Sequence, residues 1–182
     1  MQAIIDACNS GYLESTPVLV ISNNADSETL KRANKEGIDS ICINSKTNPD
    51  DEDEAVLTAL KEHNVDLVIL AGYMKKIGDK TLRHYKDKIL NIHPALLPKF
   101  GGEGMYGTNV HKAVIESGDT QSGATIHLVD EIYDNGRVLN QKKVDIDPDE
   151  TPESLQKKVL KIEHILYKDT IKMIEESSNP RG

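Results

Sequence analysis

The sequence predicts an α/β fold with a doubly wound, mainly parallel sheet, helices on both faces and an antiparallel element near the C-terminus. Short apolar runs alternate with segments of helical periodicity through the first hundred residues, which is typical of right-handed βαβ units. Two consecutive strand candidates follow, joined by a segment with the turn signal Asp134-Asn135-Gly136. The 182 residues suffice for one domain with its own core. The arrangement is of the Rossmann-like type.

The elements of the first half follow from apolar spacing and from capping residues. Ser27 is a suitable N-cap for a helix, and Gly37 suits the C′ position of the same helix. A continuous apolar run over 17–22 predicts a strand that is buried on both faces, and the mainly apolar segment 65–70 predicts a second buried strand. In order, we predict a helix from Met1 that stops before Gly11, a strand at 17–22, a helix at 27–36, a strand at 40–43, a helix at 52–63, a strand at 65–70, a helix at 80–85 and a strand at 89–92.

The second half has fewer and longer elements. The pattern predicts a helix at 109–117, strands at 123–129 and 137–146, and a long helix that ends near Glu175. Thr151 as N-cap and Pro152 at the first helical position mark the start of that helix. Residues 177–182 are expected to fray.

The chain begins on a helix, whereas a sheet of this kind normally begins on a strand. The turn after such a strand is where phosphate-binding glycines lie at a helix N-terminus. We therefore expect residues 1–182 to form a single domain that lacks its first strand and the phosphate loop.

Composition restricts the classes of function. The formal net charge of −8 argues against a nucleic-acid partner, which calls for clustered Lys and Arg. No apolar run approaches the roughly 20 residues of a membrane span, and no signal peptide pattern opens the chain. Two cysteines, Cys8 and Cys42, do not form a disulfide framework. These observations predict a cytoplasmic protein without membrane or nucleic-acid partners.

The segment Asn91-Ile92-His93-Pro94 carries the clearest chemistry. Asn91 and His93 alternate with apolar residues at the end of a strand, so their side chains share a face. An amide can stabilise an oxygen that gains negative charge, and an imidazole can also move a proton. A carboxylate usually orients such a histidine, and Asp134 is the candidate, although it is equally the ordinary residue of an Asp-Asn-Gly turn. The histidine spacing shows no metal-site pattern, so no metal is predicted.

The same segment, with Leu96-Leu97-Pro98 and Ala71-Gly72-Tyr73-Met74, resembles the phosphoribosylglycinamide formyltransferase family (glycinamide ribonucleotide transformylases). Further similar segments follow in the family's order along nearly the whole chain, at 2–7, 22–26, 117–119, 123–127, 130–134 and 163–164. The resemblance implies transfer of a formyl group from 10-formyltetrahydrofolate to the amine of glycinamide ribonucleotide, in de novo purine biosynthesis.

The resemblance also implies roles for residues. Asn91, His93 and Asp134 would be catalytic, and Glu163 would bind the ribonucleotide sugar. The folate contacts would be Met74, Lys75, Lys76, Ile77, Leu90, Asn91, Asp130, Glu131, Ile132, Tyr133 and Asp134. Met74 and Ile77 are equally explained as core residues, and Glu163 as part of a solvated helix face.

Some features depart from the family pattern. The loop that would hold the substrate phosphate is missing, and Asp53 stands about where many relatives carry an arginine that helps to hold folate. Lys75, Lys76 or Arg83 could supply that charge instead. The glycine-rich segment 101–107 is expected to lie beside the site as a flap.

Three other functions compete with the transformylase. Formyltetrahydrofolate hydrolases carry an additional regulatory domain, and methionyl-tRNA formyltransferases carry a further C-terminal domain and a basic surface. The third alternative is a truncated, non-catalytic remnant that binds folate. The sequence leaves open whether the chain is a monomer or a homodimer.

Overall fold

The computed structural model describes residues 1–178 and contains six helices and six strands within them. The helices are α1 (Gln2–Asn9), α2 (Glu28–Lys35), α3 (Glu52–Glu62), α4 (Asp79–His84), α5 (Thr108–Glu116) and α6 (Pro152–Ser178). The strands are β1 (Leu19–Ser22), β2 (Asp39–Cys42), β3 (Val68–Leu70), β4 (Ile89–His93), β5 (Gln121–Leu128) and β6 (Val138–Asp145). Each predicted element is present with shifted ends. Ser177 and Ser178, expected to fray, close α6, while 179–182 lie outside the described residues.

Side-chain caps fix several helix starts. The Ser27 hydroxyl accepts a hydrogen bond from the Leu30 amide at 3.4 Å, which confirms the predicted N-cap of α2. Gly37 follows α2 with a φ of +72°, a conformation that favours glycine at the C′ position. The Thr151 hydroxyl accepts from the Ser154 amide at 3.2 Å and caps α6.

The strands form two hydrogen-bonded sheets. β1 and β2 pair in parallel, and the second sheet has the order β3-β4-β5-β6. β3 and β4 are parallel, whereas β5 is antiparallel to both β4 and β6. The predicted α/β class with helices on both faces is confirmed, with parallel and antiparallel pairs mixed in the described part.

The strands over 17–22 and 65–70 were predicted to be buried on both faces, and this prediction is wrong. The residues of β1 and β3 are only half-buried, and Val18 before β1 is 40% exposed. The reason is that each strand lies at an edge of its sheet, and both line one cavity of about 560 Å³. In β4, by contrast, Ile89 and Leu90 are fully buried.

Two hydrophobic clusters hold the elements together. The larger one joins β4 and β5 to α5 and α6, through residues such as Leu90, Val110, Ile126 and Leu155. The smaller one centres on Ile89 and joins α3 and α4 to the half-buried side chains of β1 and β3. Within residues 1–178, no helix is both long and apolar enough to cross a membrane.

Candidate active site

Strand register places four polar side chains on one face of the second sheet. Asn91 and His93 are two residues apart on β4, so they point the same way. On β5, His127 lies directly opposite Asn91, and Thr125 lies opposite His93. Sequence reasoning gave His127 no role, because only the register shows that it faces Asn91.

Asp134 joins this group from the connection between β5 and β6. Its Oδ2 atom lies 3.3 Å from Nδ1 of His93, and its Oδ1 atom lies 3.4 Å from Nε2 of His127. The amide of Gly102 donates to Oδ2 at 3.0 Å. Asp134 adopts a φ of +55°, a left-handed conformation that Asp tolerates in turns. The structure therefore brings together Asn91, His93 and Asp134, the three residues predicted to be catalytic.

Both ring nitrogens of His93 face oxygen atoms that can only accept hydrogen bonds. Nδ1 faces the Asp134 carboxylate, and Nε2 lies 2.7 Å from the carbonyl oxygen of Phe100. The His93 side chain, which is 3% exposed, is therefore held in one orientation by partners at both ring nitrogens.

The ionisation of Asp134 follows from the same contacts. Burial works to raise the pKa of its carboxyl, but hydrogen bonds from His127 and His93, the charge of His93 and the Gly102 amide outweigh burial. The pKa of Asp134 consequently lies far below its ordinary value. Asp134 is a buried carboxylate, and it stays charged at neutral pH.

His127 links Asn91 to the carboxylate. Its Nδ1 lies 2.8 Å from the carbonyl oxygen of Leu128, to which it donates, and its Nε2 lies 3.2 Å from Nδ2 of Asn91. Nε2 also lies 3.4 Å from Oδ1 of Asp134, so the ring stands between the Asn91 amide and the carboxylate. The His127 ring, which has partners at both nitrogens, therefore fixes the position of the Asn91 side chain.

The chain after β4 is fixed to the sheet by Thr125. The Thr125 hydroxyl donates to the carbonyl of Ala95 at 2.6 Å and accepts from the Leu97 amide at 3.1 Å. Gln141 on β6 donates to both the Thr125 hydroxyl and the Leu97 carbonyl. These buried bonds fix the path from His93 towards Phe100, and with it the carbonyl that faces the His93 ring.

Glu163 on α6 approaches the site from another element. Burial raises the pKa of its carboxyl, and the positive charges of His93 and of the Met1 amino group oppose this only in part. Glu163 is half-buried on α6, so it is not part of a fully solvated helix face.

The residues predicted to contact folate divide into exposed and buried sets. Met74, Ile132 and Tyr133 are 61%, 64% and 50% exposed, which is unusual for large apolar side chains. Ile77 and Leu90 are buried in the two hydrophobic clusters, so their side chains are core residues. The remaining predicted contacts, Lys75, Lys76, Asp130 and Glu131, are exposed.

Asp53 has a structural role that the sequence did not indicate. Its carboxylate accepts hydrogen bonds from the Lys80 amide at 2.8 Å, and from the amide and hydroxyl of Thr81 at 3.1 and 2.6 Å. It therefore caps the first turn of α4 from the neighbouring helix α3. The adjacent Glu52 forms an ion pair with Lys75 at 2.6 Å, so this lysine is already engaged.

Metal binding receives no support from residues 1–178, which contain no group of three or more His, Cys, Asp or Glu side chains suited to holding an ion. The candidate site consists of carboxylate, imidazole and amide side chains.

The comparisons with known proteins agree on one family. The formyl transferase family profile matches residues 1–171. The chain is 42% identical over 171 residues to phosphoribosylglycinamide formyltransferase, chloroplastic, of Arabidopsis thaliana, covering 92% of this chain and 59% of that protein. It therefore spans less than two thirds of that plant relative. It is 38% identical over 178 residues to phosphoribosylglycinamide formyltransferase of Haemophilus influenzae, covering 97% and 82% of the two chains.

A solved structure gives the same result for the fold. The crystal structure of glycinamide ribonucleotide transformylase 1 from Symbiobacterium toebii superposes with a TM-score of 0.89 at 34% identity. The superposition covers 97% of this chain and 82% of the other.

Proposed function

The chain belongs to the formyl transferase family, and from this premise we propose that it transfers a formyl group from 10-formyltetrahydrofolate to the amine of glycinamide ribonucleotide. This reaction is a step of de novo purine biosynthesis. The names of the relatives support it, and they do not favour the hydrolase or the non-catalytic folate-binding remnant. The observation that carries the proposal is the cluster of Asn91, His93 and Asp134, with His127 behind it.

The cluster suits acyl transfer to an amine. The amine nitrogen attacks the formyl carbon, a C–N bond forms, and the carbonyl electron pair moves onto oxygen. The oxyanion then needs hydrogen-bond donors in a site with little water. The Asn91 amide and the N–H groups of His93 are donors of this kind, and a cationic donor forms the stronger bond. Asp134 orients the ring.

Proton balance gives His93 a second task. The attacking nitrogen loses one proton, and the folate nitrogen gains one as its bond to the formyl carbon breaks. His93 can donate its Nε2 proton to the departing nitrogen and recover a proton from the attacking nitrogen, directly or through water. In the structure this Nε2 donates to the Phe100 carbonyl at 2.7 Å. Catalysis therefore requires substrate to replace that carbonyl as the partner of His93.

The exposed apolar residues suit the folate. A flat pterin and its aromatic extension need apolar walls with a few polar groups. Met74, Ile132 and Tyr133 are large apolar side chains exposed at the surface, and they could form such walls. Asp130, Glu131, Lys75 and Lys76 would provide polar contacts around them. Ile77 and Leu90 are buried, so their contribution would come through backbone atoms. Glu163 would accept hydrogen bonds from ribose hydroxyls.

Small-molecule substrates account for the whole reaction, so the proposal needs no macromolecular partner. We also propose that the protein acts as a monomer or a homodimer and that it is cytoplasmic. The proposed reaction does not depend on either property. We also propose that residues 1–182 form a single formyltransferase domain.

The test is a formyl transfer assay with His93→Ala. Turnover should fall by about 10²–10⁴-fold, since the variant loses a general acid and an oxyanion donor. His84→Ala is the matched control because His84 is exposed on α4. Circular dichroism checks that both variants fold. Similar turnover in His93→Ala and the control would overturn the assignment.

A further inference from the structure

Three polar side chains stand in one row across the second sheet. His93 on β4 pairs with Thr125 on β5, and Thr125 in turn pairs with Gln141 on β6. Residues that lie opposite each other in a sheet project from the same face, so Gln141 shares the face of the candidate site. Sequence reasoning gave no role to Gln141, which is an exposed residue on the outermost strand of this sheet.

The Gln141 amide is committed to this row. Its Nε2 atom donates to the Thr125 hydroxyl at 2.8 Å and to the carbonyl oxygen of Leu97 at 3.0 Å. A primary amide has two N–H donors, and each of them has one of these partners. Although Gln141 is exposed, both donors of its amide are therefore directed inwards.

The Thr125 hydroxyl uses its full bonding capacity, which is one donor and two acceptor lone pairs. Its proton goes to the Ala95 carbonyl at 2.6 Å, and one lone pair accepts from the Leu97 amide at 3.1 Å. Gln141 occupies the second lone pair and so leaves the hydroxyl proton a single direction, towards Ala95. Thr125 is fully buried, so bulk solvent does not compete for these bonds.

Leu97 connects this network to the Asp134 carboxylate. A Cβ atom added to Gly101 would lie 2.6 Å from Cδ2 of Leu97 and 3.1 Å from Cβ of Asp134. Gly101 is thus packed tightly between these two side chains. The next amide, that of Gly102, donates to Oδ2 of Asp134 at 3.0 Å. A shift of Leu97 would therefore move a hydrogen-bond donor of the carboxylate.

The same stretch of chain leads to the carbonyl that faces His93. Phe100 adopts a φ of +61°, an unusual conformation for an aromatic residue, and its carbonyl oxygen lies 2.7 Å from Nε2 of His93. A backbone held in such a conformation needs surrounding structure to maintain it. The bonds of Thr125 and Gln141 to the backbone of residues 95–97 anchor the start of this stretch.

We propose that Gln141 is a positioning residue for formyl transfer, which fixes the chain between β4 and α5 and thereby the partners of His93 and Asp134. The inference rests on the proposed function, in which His93 is the general acid. Gln141 acts indirectly, through Thr125 and the backbone that follows β4. A displacement of about 1 Å at an active site can lower the rate by about 10²-fold, so a distant anchor of this kind affects turnover.

Gln141→Met tests the role, because methionine has nearly the shape of glutamine without its donors. We expect kcat for formyl transfer to fall by about 10- to 100-fold, with each KM within about twofold of the wild-type value. The assays run well below the melting temperature of the variant, so that loss of folded protein does not contribute.

Gln121→Met is the matched control. Gln121 is an exposed glutamine on β5 that bonds across the same pair of strands, to Asp145 at 3.0 Å, but at the far end from His93. Its kcat should equal that of the wild type. An unchanged kcat in Gln141→Met, or an equal fall in the control, would overturn the proposal.

Substitutions at Thr125 test the route. Thr125→Ser keeps the hydroxyl and should retain kcat within about threefold, whereas the isosteric Thr125→Val should lower kcat by about tenfold or more. Gln141→Met should then cost less in the Thr125→Val background than in the wild type, because one of its two partners is already gone. Fully multiplicative effects would overturn the part of the proposal that runs through Thr125. Circular dichroism checks the fold of Thr125→Val, and the comparison of Gln141→Met with its control does not depend on that variant.

The nitrogen-15 signals of the His93 ring give a readout that needs no turnover. The Nε2 signal should shift in Gln141→Met, because its bond to the Phe100 carbonyl changes, and it should stay in place in Gln121→Met. A wild type without formyl transfer would overturn the proposed function, while a shifted Nε2 signal would still support the positioning role. Unchanged His93 signals together with a normal kcat would overturn the positioning role and leave the proposed function intact.

Discussion

The Oδ2 atom of Asp134 lies 3.3 Å from the Nδ1 atom of His93. His93 is the last residue of β4, Asp134 lies in the connection between β5 and β6, and both side chains are almost completely buried. A buried carboxylate is costly unless partners compensate for its lost hydration. The contacts of Asp134 keep it ionised, and loss of His93 removes part of that compensation.

Asp134→Asn should lower turnover by about 10²–10⁴-fold without unfolding the domain. The amide lacks the negative charge that the carboxylate places beside His93, although its oxygen can still accept one hydrogen bond. Steady-state formyl transfer measures the effect. Asp149→Asn, at an exposed position before α6, is the control. Equal turnover in the two variants would contradict a role for the Asp134 charge.

The same substitution should make stability less dependent on pH. The pKa of Asp134 is depressed in the folded state, so its carboxylate stabilises the fold above the unfolded pKa of about 4. This contribution is lost as the pH falls from there towards the folded pKa. The difference in free energy of unfolding between the wild type and Asp134→Asn should therefore shrink below about pH 4. A constant difference across that range would contradict the depressed pKa.

Glu163→Gln should have opposite effects on stability and function. Burial raises the pKa of Glu163, so its contribution is favourable below the unfolded pKa of about 4.3 and is lost as the pH rises through the folded pKa. The variant should then be more stable than the wild type near neutral pH, with a higher KM for the ribonucleotide. Denaturant melts at several pH values measure this. Glu14→Gln, on an exposed loop, should change neither quantity.

Tyr167→Phe should destabilise the packing of α6 against β3 and β4. The Tyr167 hydroxyl donates to the carbonyl oxygens of Leu70 at 2.6 Å and of Leu90 at 3.3 Å. Burial raises the pKa of Tyr167, so it remains a donor. Its loss leaves a buried carbonyl without a donor, at a cost of about 1–3 kcal/mol. Thermal unfolding should show a clear decrease, whereas Tyr106→Phe, at a residue 57% exposed, should show none.

Asp53→Ala and Gly78→Ala should not be additive. Asp53→Ala removes the cap of α4 and should cost about 0.5–2 kcal/mol. A methyl group on Gly78 would overlap the Asp53 carboxylate, although the Gly78 backbone is extended and accepts alanine. Gly78→Ala should therefore destabilise the wild type more than it destabilises Asp53→Ala. Equal effects in both backgrounds, measured in denaturant, would show that the overlap is relieved at no cost.

The sequence predicted what depends on local spacing. Apolar periodicity located every element, and short-range caps such as Ser27 were readable because donor and acceptor are three residues apart. Asn91 and His93 were readable for the same reason, since two positions along a strand share a face. The turn residue Asp134 was found with help from family resemblance, because nothing local links it to His93.

The sequence could not show relationships that arise from register and edges. His127 lies 36 residues from Asn91, and only antiparallel pairing sets them opposite each other. Asp53 accepts a hydrogen bond from a residue 28 positions away. In the sequence it is one member of an acidic run, and its capping role becomes visible only once α3 and α4 pack together. The apolar runs of β1 and β3 predicted burial, and the free edges that leave them half-buried are a property of the whole sheet.

The break between the sheets has a consequence for how the molecule opens. No ladder of backbone hydrogen bonds crosses from β1 to β3 in the described part of the chain, so side-chain packing in the smaller cluster holds that boundary. Packing alone gives a weaker boundary than packing with hydrogen bonds, and regions of this kind open below the global unfolding transition. The unit of β1, α2 and β2 can therefore separate while β4, β5 and α6 stay folded. The cluster of Asn91, His93 and Asp134 would then stay intact while the unit of β1, α2 and β2 is open.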